Sequence, residues 1–536
     1  MARIAFIRPP ANSRYNDADV REESLITYAL GYLSLYNKIS DEKLTWKVFD
    51  YVLDYTLDQS SLEQEDFDVY VIAIRETSSA PHYALRIAHL LKNKRVIIYG
   101  QVARFAKHPK KSTFNAEFVI HSEALLLKKV TQNEAAAISF DFTSSQFLAK
   151  PYYQSIQLSP ERHKRFRASL ETTRGCHFKC KFCFINHGEN HFESWQTRAT
   201  TAILKDIERY YNDGIRFINF MDSEFFGIDK TYYAQIEKFL LEVVNRFPDL
   251  KFMIYARADT LIRFGQFEML RQAGLSSVFI GAESFSDEEL SALNKGIKAK
   301  QLLYCIQSLL DNNISMYLSF IIFNRATTKL SLRKNISRLK ELYSHRNKSL
   351  LGMPNFIFNF ESSWSGEGAF KLSDYTYIKW AQYYKQPLST DLVVYDTNLE
   401  PLMELYRALH YEITKKSRDL NYLIDTNDGY KLESWHASIS SFSLHLMELF
   451  LDKFERSELS IESIKENLIY MFSLLEYFYS KTLPDSLQNL LTSDETLNQM
   501  YATRDRMPYL DHGWDHIFPP ADLGKDNDYK TNLRCE

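Results

Sequence analysis

The sequence predicts an α/β protein with a Rossmann-like N-terminal domain, a partial (β/α)6 TIM-type barrel and a helical C-terminal domain. Three observations lead to this fold class. The 536 residues are too many for one compact core. Short apolar runs alternate with helical stretches in the first two parts of the chain, which is typical of parallel sheets. Beyond about residue 370, apolar residues recur every three to four positions and so indicate helices.

The N-terminal domain is predicted over residues 1–130. Its strand candidates are continuously apolar, and they are Ile4–Ile7, Trp46–Asp50, Val69–Ile74, Arg95–Gly100 and Phe118–Ile120. Helix signals run from about Ser24 to Ser34 and from Pro81 to Lys92. Residues 131–165 are predicted to be a linker, because they are polar and Pro151 and Pro160 interrupt regular structure.

The barrel is predicted over residues 166–365. Its strand candidates are Ala168–Thr172, Phe217–Met221, Phe252–Tyr255, Ser277–Ile280, Met316–Phe323 and Asn355–Phe360. Helices fit between them at about 198–212, 230–246, 262–273, 299–312 and 329–345. Six βα units suggest a partial or open barrel, and such barrels carry their chemistry at the carboxyl ends of the strands.

A helical domain is predicted over residues 366–510. One helix face carries Ile464, Leu468, Met471, Leu475 and Phe478 at helical spacing. The polar stretch 511–536 has no periodicity, so we expect either a flexible tail or an irregular lid.

Composition excludes several classes of protein. The formal net charge is −3, so no bulk attraction to nucleic acid or to a membrane surface is expected. The first residues lack the apolar run of a secretory leader, and no run of about 18 apolar residues indicates a membrane span. We therefore expect a cytoplasmic enzyme.

Three of the five cysteines lie within eight residues, as Cys176, Cys180 and Cys183. The spacing C-x3-C-x2-C directly follows the first barrel strand and suits three thiolate ligands of a [4Fe–4S] cluster, with one iron left open. The alternative is a structural zinc site, completed by His177 or His187. Cys305 lies in an apolar helix and is expected to be a core residue.

The cysteine loop resembles that of the radical S-adenosylmethionine (SAM) superfamily. The resemblance implies that the open iron binds the amino and carboxylate groups of SAM, and that an electron from the cluster breaks a C–S bond. An aromatic residue before the last cysteine is typical of the family, where it lies near the adenine. Phe182 holds that position.

The resemblance extends through the barrel strands. The segment 220–226 is similar to the second-strand motif of the subfamily with cobalamin-binding domains, which implies that Met221 and Asp222 contact the SAM amino group, with Glu224 behind them. The alternative is that Asp222 and Ser223 cap the next helix.

The third and fourth strands continue the similarity. It rests on the segments 256–259, 273–275, 280–284 and 293–296. It implies that Arg257, Glu283 and Ser284 orient SAM, with Arg257 and Glu283 near its carboxylate and ribose. The alternative is an ion pair between Arg257 and Glu283 across the barrel mouth. The fifth strand departs from the family, because a Gly-Pro-Gly-rich turn is replaced by residues 321–327.

Residues 1–130 resemble the cobalamin-binding domain that precedes the radical SAM domain in many methyltransferases. The resemblance rests on Arg8-Pro9-Pro10, on Leu30-Gly31-Tyr32-Leu33 and on the strand order. The Asp-x-His-x-x-Gly motif is absent, and the usual glycines are reduced to Tyr99-Gly100-Gln101 and Ile120-His121-Ser122-Glu123. The alternative is a retained Rossmann-like scaffold that only packs on the barrel.

The C-terminal end carries one further candidate. The tripeptide Arg534-Cys535-Glu536 resembles the tail of the radical SAM enzyme of arsinothricin formation, which transfers the 3-amino-3-carboxypropyl group of SAM to trivalent arsenic. A tail with His512, His516 and Cys535 would then close over the barrel mouth. A terminal cysteine is otherwise incidental.

The leading functional hypothesis is a cobalamin-dependent radical SAM alkyl (methyl) transferase acting on a small-molecule or peptide natural product. Its cofactors would be a [4Fe–4S] cluster, SAM and cobalamin, and its electron donor a flavodoxin or ferredoxin. A second hypothesis is a cobalamin-independent radical SAM enzyme that transfers the aminocarboxypropyl group or rearranges its substrate. A third is a non-catalytic metal-binding protein.

Overall fold

The structure is a computed structural model. It describes residues 2–9, 21–54, 56–58, 60–74, 81–100, 116–119, 122–133, 136, 142–144, 148–156, 158, 160, 163, 166–181, 183, 195–324, 326–344, 362–363, 369–370, 397–399, 401–403, 405–406, 409, 413, 429–460 and 463–482. Phe182, His187 and the predicted strand 355–360 lie outside the described residues, as does the tail 511–536 with Cys535.

The first sheet contains five parallel strands in the order β2-β1-β3-β4-β5. The strands are β1 (Ala2–Arg8), β2 (Leu44–Asp50), β3 (Val69–Ala73), β4 (Val96–Tyr99) and β5 (Ala116–Val119). All residues of β3 and β4 are buried, which is why these strands are apolar throughout rather than alternating. The sheet confirms the predicted Rossmann-like arrangement.

Helices cover both faces of this sheet. They are α1 (Ser24–Ile39), α2 (Ser60–Glu63), α3 (Pro81–Leu90) and α4 (Glu123–Thr131). One face packs with α1 and α4, and the other forms a separate cluster with α2 and α3. The strand order reverses between β1 and β3, and in such sheets ligands bind outside the carboxyl ends of the strands at this point.

Among the described residues, the second sheet also contains five parallel strands, which follow one another in sequential order from β6 to β12. They are β6 (Ala168–Leu170), β9 (Phe217–Phe220), β10 (Lys251–Ala256), β11 (Leu275–Glu283) and β12 (Ser315–Phe320). A short antiparallel ladder, β7 (Thr173–Arg174) with β8 (Gln196–Thr197), follows β6.

Helices join the strands of the second sheet, and they are α5 (Thr200–Asn212), α6 (Lys230–Arg246), α7 (Ala258–Phe264), α8 (Phe267–Gln272), α9 (Asp287–Ala292), α10 (Ala299–Asp311) and α11 (Lys329–Ser344). The prediction of one helix over 262–273 was wrong, because Gly265 ends α7 in the left-handed conformation with φ 69°. The predicted partial barrel is confirmed over its first five strands.

Two long helices, α12 (Gly429–Glu455) and α13 (Ile464–Thr482), follow. Helix α12 packs on α11, and Arg333 of α11 donates to Asp452 and Glu455 of α12. This attaches the C-terminal helices to the last helix of the barrel. No helix in the described part of the chain is long and apolar enough to cross a membrane.

Candidate functional site

The two faces of the second sheet differ in character. On β10, Phe252 and Ile254 are buried in the core under the helices, whereas the residues that alternate with them, Met253 and Tyr255, are half-buried. Successive side chains of a strand point to opposite faces, so Tyr255 faces the concave side of the barrel. Aromatic Phe279 and Tyr317 hold the same register on β11 and β12 and are also half-buried.

This row of aromatic side chains was missed by sequence reasoning. Tyr255 and Phe279 contact each other with ring centroids 5.0 Å apart. The signal was present in the sequence, because Tyr255, Phe279 and Tyr317 interrupt aliphatic runs at the period of two that marks the second face of a strand. The barrel interior is therefore lined by part-exposed rings rather than filled.

The three cysteines lie in the loop that follows β7 at the carboxyl end of this sheet. Cys180 is buried, and Cys176 and Cys183 are half-buried. The loop is held against the segment after α9: the Lys181 N–H donates to the Leu293 carbonyl at 3.0 Å, and the Asn294 amide donates to the Lys179 carbonyl at 2.7 Å. The sulfurs thus lie at the barrel mouth, where the fold is expected to carry its chemistry.

Arg257 reaches this loop from the end of β10. Its guanidinium donates to the Cys180 Sγ at 3.2 Å, to the Asp259 carboxylate at 2.9 Å and to the Lys295 carbonyl, and it lies 3.7 Å from the centre of the Phe178 ring. Burial alone would lower the pKa of Arg257, but the charges of Cys180 and Asp259 outweigh it and raise the pKa. Arg257 therefore places a permanent positive charge beside a cluster-ligand candidate.

Asp222 supports the strand that leads into the cysteine loop. Its carboxylate accepts hydrogen bonds from the Thr172 N–H at 2.6 Å, the Thr172 hydroxyl at 2.5 Å and the Thr173 N–H at 2.9 Å. Burial raises the pKa of Asp222 to about 7. The helix-cap alternative is wrong for this residue, because the following helix α6 is capped by Asp229.

Glu224, two residues after Asp222, likewise supports a neighbouring segment through its carboxylate. Its carboxylate accepts from the Arg257 N–H at 2.9 Å, the Thr260 hydroxyl at 2.8 Å and the Phe226 N–H at 3.1 Å, so it caps the start of α7 from outside. Burial raises the pKa of Glu224 to about 7. The Glu224 carbonyl in turn accepts from the Thr173 hydroxyl at 2.9 Å.

Glu283 ends β11 in a strained conformation. Its φ is 65°, which L-residues seldom adopt, and the register of β11 with β12 shifts at this point. Its carboxylate pairs with the buried Lys295 ammonium at 3.1 Å. A Cβ at Gly281 would lie 2.7 Å from both charged groups, so a larger residue there would displace this ion pair. The proposed Arg257–Glu283 ion pair is not formed, because each residue has another charged partner.

Ser284 and Met221 have different neighbours from those expected for a single SAM pocket. The Ser284 hydroxyl donates into a buried network with Glu289 and Asn335, behind the strand end. Met221 is nearly buried, and its sulfur lies 3.3 Å from the guanidinium of Arg21, a residue of the N-terminal part. The contact of these residues and of Asp222, Glu224, Arg257 and Glu283 with SAM stays a prediction.

The donor set at the loop fits an iron–sulfur cluster. Within the described ranges, no three His, Cys, Asp or Glu side chains converge on the position of one metal ion. A cubane binds each cysteine to a different iron, so it does not need that convergence. Burial raises the pKa of the Cys176 thiol to about 12, and a bound metal would favour its thiolate form.

Comparison with known proteins agrees with this geometry. A model of the radical SAM superfamily matches residues 170–326. The 4'-phospho-dehydrooxetanocin synthase of Priestia megaterium is 27% identical over 198 residues, which is 33% of this chain and 25% of that protein. An uncharacterized methyltransferase of Pyrococcus horikoshii is 24% identical over 174 residues, which is 32% of this chain and 36% of that protein. The chain thus spans only a quarter to about a third of these relatives.

A likeness to a solved structure extends further. The cobalamin-dependent S-adenosylmethionine radical enzyme OxsB, with aqua-cobalamin bound, superposes with a TM-score of 0.62 at 15% identity, over 97% of this chain and 84% of that chain. At this identity the likeness shows the fold alone. It confirms the predicted fold class from the N-terminal sheet through the helical end.

Proposed function

We propose that this chain, whose residues 170–326 form a radical SAM domain, is a cobalamin-dependent radical SAM enzyme that alkylates, by methyl transfer, an unreactive centre of a small-molecule or peptide natural product. The single observation that carries the proposal is the cysteine loop at the barrel mouth. There Cys176, Cys180 and Cys183 follow the first barrel strand, and Arg257 donates to the Cys180 sulfur at 3.2 Å. A parallel barrel with three thiolates at this edge suits a cluster with one open iron.

The side chains of this site have distinct tasks. When bound, a reduced [4Fe–4S] cluster supplies the electron that breaks a C–S bond of SAM. Cys176, Cys180 and Cys183 would hold that cluster. Arg257 would stabilise the negative charge that the thiolates bring into a buried site, since its own charge is fixed by Asp259 and Cys180 on either side. Asp222 would keep the loop in place through Thr172 and Thr173.

The half-buried aromatic row gives the site its walls. Tyr255, Phe279 and Tyr317 lie side by side in register on the concave face. Such aromatic walls would exclude bulk water from the site and so limit side reactions. We expect the substrate to lie against this row.

Cobalamin as a further cofactor is supported by the first sheet. Its order β2-β1-β3-β4-β5 creates a crevice at the carboxyl ends of β1 and β3, where doubly wound sheets bind cofactors. The fold likeness to an enzyme with bound aqua-cobalamin is in line with this assignment. Residues 10–20, 75–80 and 101–115, which follow β1, β3 and β4 in the sequence, lie outside the described residues.

A second candidate function is the cobalamin-independent alternative, in which the aminocarboxypropyl group of SAM is transferred, because the glycine at the end of β4 is explained without cobalamin. Gly100, at the end of β4, has φ 130°, and a Cβ there would lie 2.2 Å from the Ile74 carbonyl oxygen. Its lack of a side chain is thus required by the neighbouring strand. The one glycine that remains of the usual pair has a packing role, whatever the cofactor.

The experiment is anaerobic purification, reconstitution with iron, sulfide and hydroxocobalamin, and analysis of metals and of SAM-derived products. The proposal expects about four irons and one cobalt per chain, with 5′-deoxyadenosine formed from SAM. Iron without cobalt, with methylthioadenosine as product, would support aminocarboxypropyl transfer instead. Zinc without iron would refute both, and would indicate a metal-binding protein.

A further inference from the structure

Arg174 lies two residues before Cys176 and contacts the N-terminal part of the chain. Its two terminal nitrogens donate to both carboxylate oxygens of Glu123, at 2.8 and 2.6 Å, and its Nε donates to Glu171 at 2.7 Å. Such a bidentate pair fixes orientation as well as distance. Glu123 stands in the first turn of α4, directly after the carboxyl edge of the first sheet.

This ion pair is shielded from solvent. The side chains of Arg174 and Glu123 are 12% and 8% exposed, so salt screens their attraction little. The guanidinium also lies 4.1 Å from the centre of the Phe142 ring, a residue of the connecting segment.

Glu171, which accepts from the Arg174 Nε, is also held by residues of the N-terminal part of the chain. Its N–H donates to the Tyr28 hydroxyl at 2.6 Å, and Tyr28 belongs to α1 of the first sheet. Arg198, which is buried, donates to both the Tyr28 hydroxyl at 3.0 Å and the Glu171 carbonyl at 3.1 Å. Contacts with Tyr28 of α1 and Glu123 of α4 therefore position the segment that leads into the cysteine loop. Both helices pack on one face of the first sheet.

We infer that Arg174 and Glu123 are positioning residues for the cluster, through which the N-terminal sheet sets the placement of the cysteine loop. The inference rests on the proposed function. Gly175, with φ 81°, separates Arg174 from Cys176, so Arg174 is the last side chain that fixes the backbone before the first cysteine. Loss of the Glu123 carboxylate charge would leave the guanidinium buried beside one acid instead of two and let the loop shift.

The test compares Glu123→Gln with Glu117→Gln. Glu117 lies on β5 and pairs with Arg95 at 2.8 Å, near the other end of α4, so its loss removes an ion pair of the same sheet without touching the loop. Each variant is reconstituted as the full chain. The measurements are iron content, the electron paramagnetic resonance spectrum of the reduced cluster with and without SAM, the kcat and KM of SAM cleavage, and the unfolding midpoint.

For Glu123→Gln we expect wild-type iron content, a changed spectrum in the presence of SAM, and a kcat lowered roughly ten- to a hundredfold by misplacement of the reacting groups. Glu117→Gln should keep the wild-type spectrum and kcat. Glu123→Asp, which keeps the charge, should recover part of the rate.

Two further results are decisive. If Glu123→Gln fails to fold, Arg174→Lys is tested instead, because it keeps the positive charge but loses the bidentate geometry of the guanidinium. It should show the same spectral change and loss of kcat. The inference is overturned if a folded variant at either position keeps the wild-type spectrum and kcat, while the wild type remains active. A wild type without iron or SAM cleavage would instead refute the proposed function, and the inference with it.

Discussion

The two sheets have the same number of described strands and the same parallel pairing, yet they use their faces differently. Along β1, the four successive residues Ile4 to Ile7 are fully buried, and alternate ones enter two separate hydrophobic clusters. Along β10, burial alternates between complete at Ile254 and partial at Tyr255. The first sheet is therefore closed on both faces, whereas the second keeps a concave face for ligands.

This difference locates the chemistry of each sheet. A sheet covered on both faces can bind a ligand only at its edge, where β1 and β3 diverge. A curved sheet can bind one against its interior face, below the loops that carry the cysteines. Under the proposed function, we therefore expect the radical chemistry at the mouth of the second sheet and any corrin cofactor at the edge of the first.

The largest effect is expected from loss of a cluster ligand. Cys180→Ala should abolish both cluster binding and SAM cleavage, because a buried thiolate that Arg257 contacts would be absent. Iron content per chain after reconstitution is the measurement. Cys305→Ala is the control, since Cys305 is buried in α10 and belongs to the core. An iron content in Cys180→Ala as high as in Cys305→Ala would contradict the assignment of the cluster to the cysteine loop of the second sheet.

Alanine substitution of adjacent strand residues tests whether the two faces of each sheet are buried to the same extent. In the first sheet, Phe6→Ala and Ile7→Ala should each lower the free energy of unfolding by about 2–5 kcal/mol, because both side chains are buried. In the second sheet, Ile254→Ala should cost a similar amount. Tyr255→Ala should cost only about 1–2 kcal/mol, mainly its contact with Phe279, but should impair turnover.

Chemical denaturation and the kcat of SAM cleavage separate these four variants. A stability loss for Tyr255→Ala as large as for Ile254→Ala would mean that the concave face is core. The contrast between the sheets would then fail.

A smaller effect is expected at the joint between the sheets, where Glu22 is fully buried. Its carboxylate accepts from the Tyr153 N–H and the Tyr210 hydroxyl, both at 2.5 Å, and from the Tyr152 N–H. Burial raises the pKa of Glu22 to about 7, although the hydrogen bonds lower it. Between about pH 4.5 and 7 the folded chain keeps a proton that the unfolded chain has lost, so stability falls as pH rises.

Glu22→Gln should flatten that pH dependence by on the order of 1–3 kcal/mol, because an amide can keep the backbone hydrogen bonds and cannot ionise. The unfolding free energy is measured from pH 5 to pH 8 in the variant and the wild type. Glu208→Gln, an exposed carboxylate that pairs with Arg246, is the control and should leave the profile unchanged. An unaltered slope in Glu22→Gln would contradict the role of Glu22.

Much of the fold could be predicted because each strand is marked by an apolar run, which can be recognised from a few consecutive residues. The apolar runs located the described strands of both sheets to within about three residues at either end, and most accurately for Val69–Ala73. The predicted helix over 262–273 failed because Gly265 can continue a helix or end one, and only the surrounding contacts decide. The cysteine spacing was equally local, so the place of these cysteines after the first barrel strand could be predicted, whereas the cluster itself stays a prediction.

The partners of the polar residues could not be predicted. Asp222 and Glu224 were expected to face SAM, but their described hydrogen bonds support Thr172, Thr173 and the start of α7. Lys295, which pairs with Glu283, lies within the segment 293–296, and the sequence pattern predicts no separate role for it. Each of these contacts joins residues 12 to 50 positions apart in the sequence. Spacing along the chain carries no information on such pairs, because they depend on how the strands close into a barrel.

The most direct test of the central claim is electron paramagnetic resonance of the anaerobically reconstituted, reduced wild-type chain, recorded before and after SAM is added. We predict the signal of a reduced [4Fe–4S] cluster whose shape changes with SAM, because SAM would bind the iron that the three cysteines leave open. A chain without this signal, or with a signal that SAM leaves unchanged, would contradict the assignment of radical SAM chemistry to the mouth of the second sheet.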